Sequence, residues 1–147
     1  MASSLAFYTP RVLLTGVAGI TAIVPYIADY NETHVFNPRW PGHARFHNGQ
    51  TMSMGSYLGV LTLWKTWRGG EKDNLLTASV IAAAYYITMG SAYYYPGATA
   101  WDPPQHFTVP YSHLYVVIPM LSIVATAFGL EQWRVTAQRS GEQKKAQ

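Results

Sequence analysis

The chain of 147 residues is long enough for one compact domain and short for two. Hydrophobic residues make up 49% and charged residues only 12%, and the 14% of aromatic residues argues against intrinsic disorder. The absence of Cys excludes a disulfide framework, a zinc ribbon and a thiolate nucleophile, and a net charge of +3 without a basic cluster gives no sign of a nucleic-acid partner.

Four apolar segments without Asp, Glu, Lys or Arg follow one another along the chain. They cover residues 12–28, 47–64, 75–95 and 113–130. A helix needs about 20 mostly apolar residues to cross a bilayer, with about 17 as the lower limit. The segments predict helices at about 11–28, 43–67, 74–95 and 112–134, followed by a basic C-terminal tail at 135–147. We therefore expect an all-α fold, an integral membrane four-helix bundle that forms one transmembrane domain over residues 1–147.

Basic residues predict the orientation of this bundle. Four spans place both termini and the middle loop on one side, and that side carries Arg11, Lys65, Arg68, Lys72, Arg134, Arg139, Lys144 and Lys145. Because Lys and Arg concentrate on the cytosolic side of membrane proteins, we expect both termini to be cytosolic, in an orientation that fits the endoplasmic reticulum. The pairs Gly55 with Gly59 and Ser79 with Ala83 would allow close helix contacts in lipid.

Histidines mark the opposite end of the predicted bundle. All five lie in or beside the two non-cytosolic loops, together with three carboxylates: His34, His43, His47, His106 and His113, with Asp29, Glu32 and Asp102. Both loops are rich in Pro, Trp and Asn, which favour ordered turns over flexible linkers. We expect a site here, although His and Tyr also populate membrane interfaces for reasons unrelated to function.

One polar row descends the second helix from this end. His43, His47, Gln50 and Met54 are spaced by 4, 3 and 4 residues and therefore share a face, which Tyr57 continues. Lipid offers polar groups no partners, so the row is expected to face inward. Two imidazoles one turn apart suit proton transfer near neutral pH, or the ligation of a metal.

The metal alternative needs a third ligand. His34 is its first choice beside His43 and His47, with His106 or His113 as substitutes. Acid–base chemistry requires only an imidazole, a carboxylate and a dry cavity. The preferred interpretation therefore includes neither a metal nor another cofactor.

The segment NETHVFNPRWPGHARFHNGQTMSMG, residues 31–55, resembles a small integral membrane family, mostly fungal, whose members are often labelled acetyltransferase. The resemblance extends over about residues 12–133 and implies four helices and a His-rich loop, with His34, His43, His47, Asn37, Pro38, Trp40, Arg45, Asn48 and Gln50 as its motif residues. The sequence contains no phosphate-binding loop for acetyl-CoA. In architecture the chain is more loosely similar to sterol isomerases and to the membrane cyclases of fungal terpenoid pathways.

These observations favour a membrane-embedded enzyme that isomerises or cyclises a lipophilic terpenoid, sterol or polyketide-like molecule in secondary-metabolite biosynthesis. The expected catalytic residues are His43, His47, Glu32 and Asp102. The expected substrate-binding residues are Gln50, Asn48, Met54, Tyr57, Trp40, Tyr86, Tyr94, His106 and His113. Holding a reactive conformer could also promote a pericyclic ring closure without acid–base chemistry.

Two alternatives belong to other classes of protein. One is a non-catalytic membrane subunit that binds a ligand or assists a partner protein. The other is a metal-dependent membrane oxidoreductase or hydrolase. The expected partners are the lipophilic substrate and membrane lipid, with a homodimer as a further option.

Overall fold

The structure, a computed structural model, describes residues 2–69, 75–101, 109 and 111–145, with the first two of these as backbone only. Over these ranges the fold is all-α, with four helices, one short 3-10 turn and no strand. The helices are α1 (Ala2–Asp29), α2 (Gly42–Arg68), α3 (Leu76–Ser91) and α4 (Leu114–Lys145), and the 3-10 turn Ala92–Tyr94 continues from α3.

The observed helices differ from the predicted ones mainly at their ends. α1 begins at Ala2, upstream of the predicted start near residue 11, and includes Pro10 and Pro25. α4 continues to Lys145, through most of the segment predicted as a basic tail. The extension contains good helix formers such as Ala137, Gln138 and Glu142 and no Pro, so the helix continues through it.

The helices pack in a ring in chain order. α1 contacts α2 and α4, and α3 contacts the same two helices from the other side. The core between them is formed by Leu14, Val17, Ala82, Tyr86, Val124 and Ala127. This arrangement brings the C-terminal ends of α1 and α3 to the same end of the bundle as the N-terminal ends of α2 and α4. The loops that carry the histidines therefore lie at one end.

α1 and α2 make the closest contact in the bundle, and glycine permits it. A Cβ atom built on Gly59 would lie 2.6 Å from the Ala18 carbonyl oxygen, and one on Gly55 would lie 2.7 Å from that of Thr21. No side chain fits at these distances. The close approach predicted for this pair of glycines is confirmed, and it fixes which face of α2 turns toward α1.

Two of the four helices are long and apolar enough to cross a membrane. They are α1, over Ser4–Asp29, and α4, over Leu114–Lys145. The sequence predicts spans in α2 and α3 as well, but α2 is rich in polar residues and α3, with 16 residues, is only about 24 Å long. Length and composition thus identify two candidate spans.

A buried ion cluster joins α1 to α4 at the end opposite the histidines. Arg11 and Glu131 have no exposed side-chain surface, and their Nη1 and Oε1 atoms are 3.2 Å apart. Arg134 donates two hydrogen bonds of 2.7 Å to the Glu131 carboxylate, and the Phe7 ring covers the Arg11 guanidinium at 3.7 Å. The sequence counts Arg11 and Arg134 among the basic residues of the predicted cytosolic side, and the structure shows that Glu131 holds both inside the bundle.

Candidate functional site

The loop between α1 and α2 is held by side-chain to backbone hydrogen bonds. The Asn31 amide donates to the Ala28 carbonyl at 2.6 Å, and its oxygen accepts the Thr33 backbone N–H at 2.8 Å. Buried Asn37 lies further along the loop, and its carbonyl accepts a 2.7 Å hydrogen bond from Arg45 of α2. Arg45 thus ties the loop to the first turns of α2.

Asp29, the last residue of α1, is the centre of the polar end. Its Oδ2 atom accepts a 2.9 Å hydrogen bond from the Asn48 amide of α2. Its Oδ1 atom lies 3.9 Å from Nε2 of His34, and the side chains of Asp29 and His34 are 20% and 34% exposed. The carboxylate is therefore held between α1, the loop and α2, and is only partly open to solvent.

A half-open cavity of about 480 Å³ lies beside Asp29 at the polar end of the bundle, with exposed His113 at its edge. Its walls are mainly apolar and aromatic, with Ile20, Val24, Tyr85, Tyr86, Met89 and Val116 among them. At its floor the Thr21 and Tyr86 hydroxyls are 2.9 Å apart. Its polar lining includes the carboxylate of Asp29 and the imidazole of His113, with no Lys or Arg among the lining residues in the described ranges. We call this space the inner cavity.

A second cavity of about 540 Å³ lies between the two loops. His34 and Trp40 line it from the first loop, and Thr99 and Trp101 from the second. Ala28, Asp29 and His113 line this outer cavity as well as the inner one. The structure therefore brings the described parts of the two loops together over the same carboxylate and imidazole.

Tyr93 positions His113. The Tyr93 hydroxyl oxygen accepts the His113 backbone N–H at 3.2 Å and lies 2.8 Å from Nδ1 of the same residue. The Tyr93 hydroxyl thus holds the imidazole at Nδ1 and leaves Nε2 as the atom that can exchange a proton. His113 and Asp29 line the same two cavities, so an imidazole and a carboxylate are both available to a bound molecule.

The predicted row on α2 exists, but it faces away from both cavities. Nε2 of His43 and Nε2 of His47 are 3.0 Å apart, and Nδ1 of His47 lies 3.2 Å from Gln50 Oε1. All three side chains are exposed, as are Met54 and Tyr57 further along the face. The expected inward orientation is wrong, because the glycines of α2 must face α1 and the row lies on the other side of the helix.

The other predicted site residues are divided between the cavities and the exterior. Tyr86 lines the inner cavity, Trp40 the outer cavity and His113 both, while Asn48 binds Asp29. Glu32 is exposed on the loop, and Tyr94 is 90% exposed. Asp102 and His106 lie outside the described residues. His43, His47 and His34 are not gathered around one point, and the described ranges hold no cluster of three or more His, Asp or Glu suited to a metal.

Two residues emerge that the sequence does not single out. In the sequence analysis Asp29 is one of three loop carboxylates, and only Glu32 and Asp102 are expected to be catalytic. The signal that could have found Asp29 is its position, because an acid at the end of an apolar segment often makes a buried polar contact. Glu131 is absent from the predicted site altogether. Its spacing of three residues from Arg134 is visible in the sequence, but its pairing with Arg11, 120 positions away, depends on the fold.

The fold and the polar end define a class of protein: a small four-helix bundle with two candidate membrane helices and a mainly apolar cavity lined at one end by Asp29 and His113. The chain belongs to the DUF6640 family, a family of unknown function, whose model matches residues 13–142. No curated protein and no solved structure matches the chain. The comparisons thus give a family, and they do not support an acetyltransferase label or a relationship to sterol isomerases.

Proposed function

We propose that this protein is an integral membrane four-helix bundle with cytosolic termini, resident in the endoplasmic reticulum. In the most apolar windows of α1 and α4 only 28% and 22% of the residues are buried inside the bundle. The core helix of a soluble protein would bury most of such a window. Large aliphatic side chains are exposed on all four helices, including Ile23, Val60, Val80 and Ile118. An apolar exterior all round the bundle supports contact with lipid.

The proposed activity is the isomerisation or cyclisation of a lipophilic small molecule bound in the inner cavity. The observation that carries this proposal is the position of Asp29 and His113 at the mouth of a mainly apolar cavity of about 480 Å³. Pockets for small molecules are typically apolar, with a few convergent polar groups. A volume within the usual range of about 300–1,000 Å³ suits a terpenoid, sterol or polyketide-like skeleton.

The charges of the cavity narrow the ligand class. A carboxylate lines it, and no cation is found among its described lining residues, so a phosphate, a carboxylate or an acyl-CoA would be repelled. A neutral molecule with a hydroxyl or carbonyl group would be accepted. Its polar group would lie beside Asp29 and His113, and its apolar body would fill the space against Tyr85 and Tyr86.

Acid–base chemistry at this cavity needs only these two residues. In an isomerisation, the Asp29 carboxylate takes a proton from one carbon while the imidazolium form of His113 gives its Nε2 proton to another position. A proton passing from Asp29 to His113 then restores both groups. In a cyclisation, the imidazolium form of His113 protonates the hydroxyl group of the ligand, which leaves as water. The faces of Tyr85 and Tyr86 stabilise the resulting carbocation, and the Asp29 carboxylate removes the final proton after ring closure. The predicted pair His43 and His47 takes no part in this version of the mechanism, because neither residue lines the cavity.

To test the proposal, the protein is purified in mild detergent, and any apolar molecules bound to it are extracted. Mass spectrometry of the extract identifies a retained molecule, which then serves as the probe for binding and conversion. We expect Asp29→Asn and His113→Gln to lower conversion by about 100-fold or more. Glu32→Gln, which alters an exposed carboxylate of the same loop, is the matched control and should convert the molecule at the normal rate.

Two other results would change the assignment. Retention of a lipophile that neither the normal protein nor the variants convert would favour a non-catalytic binding subunit. Full conversion by both Asp29→Asn and His113→Gln would rule out the acid–base mechanism and leave conformer templating.

A further inference from the structure

We propose that His43 and His47 form a binding site for a divalent transition-metal ion at the start of α2. This site is separate from the inner cavity and does not depend on the function proposed for it. Its two Nε2 atoms are 3.0 Å apart on the exposed face of the helix. No other residue is needed to bring them together, because positions four apart lie one above the other on a helix.

The distance between the two nitrogens fits a shared metal ion. Metal–imidazole bonds are about 2.0–2.1 Å long, so an ion bound to both Nε2 atoms would subtend an angle of about 91–97° between them. This angle is close to the roughly 90° between neighbouring ligands in the square-planar and octahedral complexes that Cu²⁺ and Ni²⁺ favour. A tetrahedral Zn²⁺ site would require the nitrogens to separate to about 3.3 Å, a small rotation for two exposed rings.

Gln50 prepares His47 to act as a ligand. Its Oε1 atom can only accept a hydrogen bond, so Nδ1 of His47, 3.2 Å away, carries the imidazole proton. The lone pair of the neutral ring is then on Nε2, the atom that faces His43. Ligating histidines nearly always donate their other N–H in this way. His43 donates to His47 in the metal-free state and changes tautomer through water when the metal binds.

The surroundings of the pair favour an ion rather than repel it. Phe46 lies parallel to the His43 ring, with centroids 6.4 Å apart, and makes an edge contact with His47 at 5.4 Å, which restricts both rings. Arg45, the nearest cation in sequence, is turned to the loop, where it donates to the Asn37 carbonyl. With two protein ligands, water would complete the coordination.

A metal here would stabilise a helix start that lacks a side-chain cap. The N-cap residue of α2 is Pro41, which makes no side-chain capping hydrogen bond. An ion bridging His43 and His47 would fix the first turns of α2. The same turns carry Arg45, which holds the loop, and Asn48, which holds Asp29. The metal would therefore have a structural role, stabilising the first turns of α2 and the loop contacts that they make.

The experiment uses the full-length protein in detergent, freed of any polyhistidine tag and of bound metal, and titrated with Cu²⁺, Ni²⁺ and Zn²⁺ by calorimetry. We expect one Cu²⁺ per chain with the tightest binding of the three, and a paramagnetic resonance spectrum showing two nitrogen ligands. Either His43→Ala or His47→Ala should weaken Cu²⁺ binding at least tenfold, and Gln50→Leu should weaken it by about 10–100-fold. Cu²⁺ should raise the melting temperature of the normal protein and not that of the two His variants.

His34→Ala is the matched control, since it removes an imidazole from the same end of the protein but not from the pair. Its Cu²⁺ affinity should equal that of the normal protein. The proposal fails if the normal protein binds no Cu²⁺ in stoichiometric amount. It also fails if His43→Ala and His47→Ala bind as tightly as the normal protein, or if His34→Ala loses the ion.

Discussion

The contact between α1 and α2 predicts opposite effects for the same substitution at two glycines of one helix. Gly59→Ala would place a Cβ atom 2.6 Å from the Ala18 carbonyl oxygen and 2.8 Å from the Ala22 Cβ, whereas a Cβ atom at Gly49 meets nothing within 4 Å. A carbon and a carbonyl oxygen rarely approach closer than about 3.3 Å. The two helices would therefore have to separate by about 0.7 Å over their most closely packed turn.

The magnitudes follow from two opposing terms. In a helix interior Ala is more favourable than Gly by about 1 kcal/mol, and this gain applies to both positions. Overpacking a close contact costs about 1–3 kcal/mol, and this cost applies only to Gly59→Ala. We expect Gly49→Ala to stabilise the protein by about 1 kcal/mol and Gly59→Ala to destabilise it by up to about 2 kcal/mol, so the two variants should differ by about 1–3 kcal/mol.

Thermal unfolding in one detergent, followed by circular dichroism at 222 nm (a helix signal), measures the two variants side by side with the normal protein. Gly49→Ala should melt above the normal protein, and Gly59→Ala should melt below Gly49→Ala. If Gly59→Ala were as stable as Gly49→Ala, α1 and α2 would not be in contact at this turn, and the assignment of the faces of α2 would be wrong.

Two further predictions concern buried polar contacts. Glu131→Ala leaves two arginines without their shared carboxylate and should cost about 3–5 kcal/mol of unfolding free energy in chemical denaturation. The exposed Glu142→Ala should stay within about 0.5 kcal/mol, and an equally small loss for Glu131→Ala would mean that the cluster is solvated. Thr21 gives its proton to the Val17 carbonyl at 2.8 Å, so the Tyr86 hydroxyl must donate to Thr21. Tyr86→Phe should therefore lower the unfolding free energy by about 1 kcal/mol, and an unchanged value would show that this hydrogen bond contributes nothing.

Most of the fold can be read from the sequence because it depends on local patterns. Uncharged apolar runs predict the four helices, and because successive helices alternate in direction, the first and third loops lie at the same end of the bundle. The geometry of His43, His47 and Gln50 on one face follows from helical spacing alone. Gly55 and Gly59 predict a close helix contact for the same reason, since small residues four apart form one groove.

The candidate site is less predictable because it depends on how the helices are rotated against each other. The polar row of α2 is expected to face the bundle interior. Gly55 and Gly59 lie on a different face of α2, and their close contact with α1 turns that face inward instead. As a result, the cavity receives Asp29 and His113 in place of His43 and His47. Asn48 binds the carboxylate of Asp29, 19 positions earlier in the chain, and this pairing likewise depends on how α1 packs against α2.

Asp29 and His113 line both cavities, so ligands in the inner and outer cavities would compete for the same hydrogen-bond donors and acceptors. A molecule that engages the carboxylate from the inner side leaves fewer lone pairs for water or for His34 on the outer side. By thermodynamic linkage, an inner ligand that weakens binding between the loops would itself be weakened by the same factor in return. Binding in the inner cavity and binding in the outer cavity would therefore be coupled in both directions.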